Sequence, residues 1–316
     1  MIFSISFLVT LIAIIIFFKL AARFSIVDTP NERSSHTEIT YRGAGIIFLI
    51  GPVIYYLDSN QHLMFFCGMI LVSVVSFIDD LKDLPSYFRF IVQTVAVLFL
   101  FYDLHIFMIP WFYIPLALIF TVGVINAYNF MDGINGITAL YSITVLLGCY
   151  FAFDILNANC SLPIAMLAPL MIFSFYNVRK KALCFAGDVG AVCMAFAVIY
   201  MIIWLLYKSL KYEIILFLVV YGIDSAMTIA QRLLEKENIL KPHRKHLYQY
   251  LVHTAQMSHL RVSYLYATVQ MVITGLVLLN LSYGFFNDVY FTVITVFVLL
   301  LAYYQIKKPL IAKSAN

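Results

Sequence analysis

The chain has 316 residues, of which 63% are hydrophobic and only 11% are charged. Soluble globular domains are about 45–50% apolar and about 25% charged, so a water-soluble fold is excluded and the bilayer must be the solvent. The formal net charge of +4 is small, and nucleic acid is not among the expected partners.

Apolar stretches follow one another along the chain, and a spanning helix needs roughly 17–25 apolar residues. The sequence therefore predicts an all-α polytopic integral membrane protein, in which residues 1–316 form a single transmembrane domain with about eleven helices. Several stretches are short, and we expect their polar ends to extend into the interface. The predicted spans are 2–20, 43–57, 62–78, 87–104, 111–125, 137–153, 161–176, 189–206, 212–229, 262–281 and 288–304.

Lysine and arginine are distributed asymmetrically between the predicted loops. An N-terminus outside the cell puts 18 of the 20 on the cytoplasmic side, as the positive-inside rule requires. No positive charge precedes the first stretch, whereas Lys19 and Arg23 follow it. This order is the reverse of a signal peptide, so we expect a retained helix. The outer connections are short, and function is expected at the cytoplasmic face.

The first predicted cytoplasmic loop combines basic residues with a glycine pair. Its polar residues are Asp28, Pro30, Asn31, Arg33 and His36, followed by Arg42-Gly43-Ala44-Gly45. The pattern by itself predicts no specific site.

The third predicted span ends in Asp79, Asp80 and Asp83. On a helical turn all three would project towards neighbouring space. Close carboxylates repel one another unless a cation neutralises them, and Mg²⁺ prefers oxygen ligands while keeping positions for waters and substrate phosphates. The pattern therefore indicates a magnesium site. A polar helix end with solvated charges is the alternative.

The fifth predicted span ends in a segment rich in amides and glycines. Backbone at membrane depth is normally helical, and a polar break is tolerated where it lines a wet cavity or meets a ligand. Glycine permits close approach of the backbone, and asparagine can both donate and accept. The segment contains Asn126, Asn129, Asp132, Gly133, Asn135 and Gly136. It indicates a binding site, with a simple loop as the alternative.

Two further acids lie in later spans. Asp188 opens the eighth span as Gly187-Asp188-Val189-Gly190, where it would serve either as a helix cap or as the ligand of a metal that bridges to phosphate. Asp224 lies inside the ninth span, and an intramembrane carboxylate is a functional candidate by default. A structural hydrogen bond, for instance to Arg232, is the alternative for Asp224.

The long loop 230–261 contains the sequence Lys241-Pro242-His243-Arg244-Lys245-His246. Its cations would clamp a diphosphate, and arginine can bind phosphate through two parallel hydrogen bonds. Ordinary positive-inside charge in contact with lipid headgroups is the alternative. The two histidines, three residues apart, favour the first interpretation.

Four of these motifs, in this order, resemble the polyprenyl-phosphate N-acetylhexosamine-1-phosphate transferases of glycosyltransferase family 4. They are Asp79-Asp80-x-x-Asp83, the segment Asn126 to Gly136, Gly187-Asp188-Val189-Gly190 and His243-Arg244-x-His246. The resemblance runs from Asp28 to about Leu251. The muramyl-pentapeptide branch of that family carries three consecutive histidines where this chain has His243-Arg244-Lys245-His246. The form of this motif is more similar to the short enzymes that initiate O-antigen or capsule synthesis, so a peptide-bearing substrate is not favoured.

The resemblance implies roles for the matching residues. Mg²⁺, with Mn²⁺ as a substitute, would be held by Asp188 and Asn129. Asp79 and Asp80 would serve the lipid phosphate, Asn135 would face the uridine, and the histidine loop would hold the diphosphate and sugar. The implied catalytic residues are Asp79, Asp80, Asp132 and Asp188, and the implied substrate-binding residues are Asn126, Asn129, Asn135, His243, Arg244 and His246.

The resemblance also implies a reaction and its partners. A UDP-N-acetylhexosamine, of which a 6-deoxy sugar is one option, would donate its sugar 1-phosphate to undecaprenyl phosphate and release UMP. The expected location is the bacterial inner membrane, among membrane lipids, with a homodimer as one option. Two alternatives stay open on the residues alone: an intramembrane Mg²⁺-dependent prenyltransferase, and a polytopic lipid or ion transporter.

Overall fold

Helices dominate the computed structural model, which describes residues 1–28, 39–239 and 243–314. Lipid offers no hydrogen bonds, so long apolar segments satisfy their backbone groups internally as helices. In the first half of the chain the α-helices are α1 Ile2–Phe24, α2 Ile50–Ser59, α3 Leu63–Leu81, α4 Ser86–Asp103, α5 Ile114–Met131 and α6 Ile137–Ile155. In the second half they are α7 Leu162–Asn177, α8 Gly187–Ser209, α9 Val219–Leu234, α10 Leu247–His253, α11 His259–Tyr283 and α12 Asp288–Ser314.

Short elements complete the described part of the chain. A two-stranded antiparallel sheet pairs β1 Val27–Asp28 with β2 Thr40–Tyr41. Turns of 3₁₀-helix cover Ala44–Leu49, Ile106–Met108, Trp111–Tyr113 and Tyr212–Leu218. The first, third and last of these precede α2, α5 and α9 directly, so three of the predicted spans are 3₁₀-helix at one end.

The all-α polytopic fold class is confirmed. Among the described residues, nine helical stretches are long and apolar enough to cross a membrane, and Ala44–Ser59 and Leu162–Asn177 are shorter apolar ones. These stretches correspond to the eleven predicted from the sequence. The number that actually spans, and the direction in which the chain crosses, stay predictions.

Helix α8 lies at the centre of the bundle and is buried along almost its whole length. It packs against α3, α5 and the 3₁₀-helix at Ala44–Leu49. Small side chains at its start permit this packing, since helices in lipid associate by close backbone contact. Helix α12 is peripheral, and its buried residues are Tyr303 and Lys307. The ends of α3 and α5 thereby come to lie beside the start of α8.

A candidate active site where α3, α5 and α8 meet

Asp80 joins the end of α3 to the start of α8. Its buried carboxylate accepts hydrogen bonds from the backbone N–H groups of Asp188 (2.9 Å) and Val189 (3.0 Å). The first N–H groups of a helix lack partners within the helix, and the helix dipole favours an anion there. Gly187 has φ +73°, and a Cβ at this position would lie 2.5 Å from Asp80 Oδ2. The contact therefore requires glycine.

The chain after β2 docks on the segment that leads into α8. The Phe185 N–H donates to the Tyr41 carbonyl (2.8 Å), and the Ala44 N–H donates to the Phe185 carbonyl (3.0 Å). The Gly45 N–H continues the pattern to the Ala186 carbonyl (3.0 Å). These bonds fix the intervening residue, Arg42, next to the start of α8.

The Gly45→Ala substitution is expected to separate this docked segment from α8. A Cβ on Gly45 would lie 2.1 Å from the Gly190 Cα, and neither backbone can yield without moving the other. Overpacking of this kind costs about 1–3 kcal/mol. We expect a lower thermal unfolding midpoint and loss of activity in detergent-purified protein. Gly222→Ala is the matched control, since its Cβ would meet nothing within 4 Å, and equal effects of the two substitutions would contradict the contact.

Two arginines neutralise the carboxylates. Arg42 Nε lies 2.8 Å from Asp80 Oδ1, and Arg42 Nη2 lies 3.7 Å from Asp188 Oδ1. Arg89 Nη1 lies 2.6 Å from Asp79 Oδ2 and 3.1 Å from Asp188 Oδ2. Burial opposes the charge on Arg42, but the neighbouring carboxylates of Asp80 and Asp188 outweigh it and raise the pKa of Arg42. We call Arg42, Asp79, Asp80, Arg89 and Asp188 the acid–arginine cluster.

The structure changes the expectation for Asp83. Helix α3 ends at Leu81, so Asp83 is not on a helical turn with Asp79 and Asp80, and its side chain is exposed. The Asp79 carboxylate accepts the Leu84 N–H (2.7 Å) and turns the chain away at this point. The prediction that all three acids share one turn is wrong because Asp79 itself terminates the helix.

Asp132 ends α5 beside the acid–arginine cluster. Loss of hydration raises the pKa of Asp132 to about 6, and the charge of Asp80 adds to that shift. Asn129 lies one turn earlier on α5 with a partly exposed side chain. Asn126 donates from Nδ2 to Gln93 Oε1 (2.9 Å) and so links α5 to α4. A carboxyl group with a pKa close to neutrality can exchange protons under working conditions.

Asn135 and its neighbour fasten the connection after α5 to the connection after α7. The Asn135 Nδ2 donates to the carbonyls of Arg179 (3.0 Å) and Lys180 (3.2 Å). Gly136 has φ +83°, and its N–H donates to Asn177 Oδ1 (2.8 Å). The contacts hold the basic segment after α7 close to the end of α5. The predicted contact of Asn135 with uridine stays a prediction.

Residues His243 to Tyr248, which we call the histidine segment, pack on the same end of α5. His246 is buried and stacks on His243, with ring centroids 5.0 Å apart. Tyr248 donates from its hydroxyl to the Phe130 carbonyl (3.1 Å), and a Cβ on Gly133 would lie 2.1 Å from that hydroxyl. Burial, with nearby His246, lowers the pKa of His243 to about 4. His243 is therefore neutral at physiological pH.

The remaining predicted residues lie in the two longest loops. Arg244 is exposed at the surface next to the buried His246. The first-loop residues Pro30, Asn31, Arg33 and His36, and the loop residues Lys241 and Pro242, lie outside the described residues. The predicted loop 230–261 is shorter than expected, because α9 continues to Leu234 and α10 occupies Leu247–His253.

No sequence pattern predicts a role for either arginine of the cluster. Arg89 is only one of the 18 cations on the predicted cytoplasmic side, and Arg42 stands in a motif that predicts no specific site. Both lie on the predicted cytoplasmic side close to spans that end in acids, and this is the signal that was available. The pairing itself depends on tertiary contacts, namely the docking of β2 on the start of α8 and the packing of α4 against α3.

Together these elements define an all-α polytopic membrane protein whose acids, arginines and histidines gather at one end of the helix bundle. Residues 62–206 match the sequence model described as Glycosyl transferase family 4. This part of the chain is therefore similar to that family. The matched region includes Asp79, Asp80, Asp132 and Asp188, whereas the histidine segment lies beyond it.

Several curated proteins are similar to this chain over much of its length. A protein of Bacillus subtilis (strain 168), named probable undecaprenyl-phosphate N-acetylglucosaminyl 1-phosphate transferase, is 26% identical over 79% of this chain and 76% of its own. An undecaprenyl-phosphate alpha-N-acetylglucosaminyl 1-phosphate transferase of Salmonella typhi is 29% identical over 62% of this chain and 60% of its own. A phospho-N-acetylmuramoyl-pentapeptide-transferase of Thermotoga petrophila is 25% identical over 48% of this chain and 55% of its own.

Proposed function

We propose that this protein transfers an N-acetylhexosamine 1-phosphate from a UDP-sugar to undecaprenyl phosphate, with release of UMP. The observation that carries the proposal is the acid–arginine cluster, which lies at the end of membrane helices and beside the polar end of α5. A lipid phosphate and a water-soluble nucleotide sugar can meet only at such a boundary. The names of the relatives support the same reaction.

The residues present fit a magnesium ion. Within the described ranges there is no group of three or more His, Cys, Asp or Glu side chains of the kind that forms a metal site from protein ligands alone. Mg²⁺ does not need such a site, because it is commonly held by one or two carboxylates together with substrate phosphates. Of the three carboxylates in the cluster, that of Asp188 lies farthest from the arginines, 3.1 Å from Arg89 Nη1 and 3.7 Å from Arg42 Nη2. Asp188, with the amide oxygen of Asn129, would hold the ion and so neutralise charge on the phosphates.

The chain's own residues would bring two phosphates together against their repulsion. Phosphoryl transfer needs positioning and neutralisation of charge more than covalent chemistry. Arg89 lies in the first turn of α4 between the exposed apolar residues Phe88 and Phe90, where it can reach a phosphate at the lipid interface. Arg42 would face the same group from the opposite side of Asp188.

We propose direct in-line attack. An oxygen of the lipid phosphate forms a bond to the sugar-linked phosphorus, and the bond from that phosphorus to the bridging oxygen of UMP breaks. UMP leaves with the electron pair of that bond. A protonated lipid phosphate would pass its proton to Asp132, whose pKa of about 6 suits an acceptor near neutrality.

The purified protein tests this proposal directly. Undecaprenyl phosphate and a panel of radiolabelled UDP-sugars, with N-acetylglucosamine, N-acetylgalactosamine and 6-deoxy N-acetylhexosamines among them, are offered in detergent with Mg²⁺ or Mn²⁺. The expected result is label in the lipid fraction and one UMP per lipid formed for at least one donor. Label in no lipid product, with every donor, would overturn the proposal.

We also propose that the site faces the cytoplasm of a bacterial inner membrane. Single cysteines replacing Asp83, Lys181 or Arg244, all exposed, are expected to resist an impermeant maleimide in intact cells and to react after lysis. Lys211→Cys, at the other end of α8, is expected to react from outside. All are made in a background without the five native cysteines. Labelling of the first three from outside would reverse the orientation.

Arg244→Lys is expected to raise KM for the UDP-sugar about tenfold and to leave KM for undecaprenyl phosphate unchanged. Arginine binds two phosphate oxygens at once, whereas lysine is a point charge, and a hydrogen bond to a charged group is worth about 1.5–3 kcal/mol. Arg261→Lys, an exposed arginine at the start of α11, is the control. Steady-state kinetics with two UDP-sugars decide the outcome. A purely salt-dependent change, equal for both donors, would indicate headgroup contact instead.

A further inference from the structure

Asp224 is a buried carboxylate of α9 that binds the beginning of another helix. Its side chain is almost completely buried. It accepts the Leu247 N–H at Oδ1 (2.8 Å) and lies 3.4 Å from the Tyr248 N at Oδ2. These are the first two residues of α10, whose N–H groups have no partner inside the helix. Asp224 therefore supplies the hydrogen-bond acceptors that α10 needs at its start.

Side chains of α9, α11 and α12 hold the Asp224 carboxylate in place. Tyr266 of α11 donates to Oδ2 (2.7 Å), and Tyr303 of α12 donates to Oδ1 (3.2 Å). Lys307 of α12 donates to the hydroxyls of Tyr303 (2.7 Å) and Thr228 (3.1 Å), and Thr228 itself lies 3.3 Å from Asp224 Oδ1. The Lys307 ammonium group is thus connected to the Asp224 carboxylate through a single bridging hydroxyl group. Arg232, the partner suggested by the sequence, instead bonds Glu237 and backbone carbonyls of the following loop.

The residues that Asp224 holds belong to the histidine segment. His246 precedes α10, and its Nδ1 lies 3.5 Å from Asp224 Oδ1. Tyr248 carries the contact onward, because its hydroxyl donates to the Phe130 carbonyl at the end of α5. The Asp224 carboxylate is therefore connected through α10 to the end of α5, where Asp132 lies.

We propose that Asp224 is a positioning residue for the donor. It fixes His243, Arg244 and His246 against the end of α5, so that they meet the diphosphate of the UDP-sugar in a preformed arrangement. This proposal rests on the proposed function. A carboxylate is needed because an amide nitrogen in place of one oxygen cannot accept an N–H from α10. An acid at this depth is costly in lipid, and four helices converge to retain it.

Asp224→Asn keeps the volume of the side chain and removes the charge and one acceptor. We expect KM for the UDP-sugar to rise at least tenfold, with KM for undecaprenyl phosphate unchanged and the thermal midpoint lowered only modestly. Trypsin cleavage after Arg244 and Lys245 is expected to become several-fold faster, and UDP binding measured by calorimetry to weaken in parallel. Tyr303→Phe removes one hydroxyl and leaves both acceptors, so it should give a smaller change of the same kind.

Asp103→Asn is the matched control. Asp103 is also a shielded carboxylate in a network, with His62 at 2.7 Å and the Tyr200 hydroxyl at 3.0 Å. It is the last residue of α4 and lies beside the start of α3, at the end of that helix away from Asp79 and Asp80. It should lower the thermal midpoint without changing the donor KM or the cleavage by trypsin. Equal donor KM values for wild type and Asp224→Asn would overturn the proposal, as would equal donor effects of the two asparagine variants.

The two proposals can fail separately. If the wild-type protein forms no labelled lipid, the proposed function fails, whatever Asp224 does. If the wild-type protein is active and a folded Asp224→Asn variant has the wild-type donor KM, only the positioning role fails. If Asp224→Asn does not fold, the graded effect of Tyr303→Phe and of Lys307→Met on donor KM decides the question.

Discussion

The Asp188→Asn variant is expected to lose almost all transferase activity, on the order of 10³-fold in kcat, while keeping its fold. Removal of one preorganised electrostatic contact typically costs about 10²–10³-fold. Asp188 is the one carboxylate of the acid–arginine cluster that both arginines approach. Asparagine keeps the size of the side chain and removes the anionic ligand that we propose for Mg²⁺. The measurement is single-turnover transfer of radiolabelled sugar phosphate at saturating donor and lipid.

A second measurement distinguishes a loss of metal binding from a loss of the chemical step. Mn²⁺ binding followed by paramagnetic resonance is expected to weaken in Asp188→Asn, and the thermal midpoint is expected to stay within a few degrees of wild type. Asp83→Asn is the control, because its exposed carboxylate lies outside the cluster. Wild-type activity that persisted in excess chelator would rule out a divalent ion, and an Asp188→Asn variant with normal turnover would remove Asp188 from the site.

The sequence predicted those parts of the site that depend on residue type and order along the chain. Asp79, Asp80, Asp132 and Asp188 were all predicted at the ends of apolar spans, and the structure brings them to one end of the bundle. Hydropathy alone predicts such positions, because an apolar span ends where polar and charged residues begin in the sequence. The roles of individual residues stay predictions, because they are inferred from the resemblance to a known family.

The remaining features depend on contacts between distant segments. Arg42 reaches Asp80 only because the backbone after β2 pairs with the segment before α8, and no local pattern encodes that register. Helix α10 was missed for a different reason. It is seven residues long and polar at its edges, and it is held by Asp224, which lies 23 residues before its first residue. Short helices of this kind are stabilised by tertiary packing rather than by propensity.

The three acids at the end of α3, Asp79, Asp80 and Asp83, are expected to differ in the effect of their substitution because they make different contacts. Asp80→Asn should lower both activity and stability, the latter by about 1–3 kcal/mol, because an amide nitrogen would face the N–H groups of Asp188 and Val189 and leave a buried donor unsatisfied.

Asp79→Asn should remove most activity with a smaller loss of stability, since Asp79 accepts one backbone N–H and pairs with the partly exposed Arg89. Asp83→Asn should change neither quantity. Chemical denaturation gives the free energy of unfolding of each variant, and steady-state transfer gives its activity. Measured on the three variants side by side, the two quantities test whether the effects rank as expected. If Asp83→Asn were the most damaging of the three, the structure's division between a buried pair of acids and an exposed one would not describe the working site.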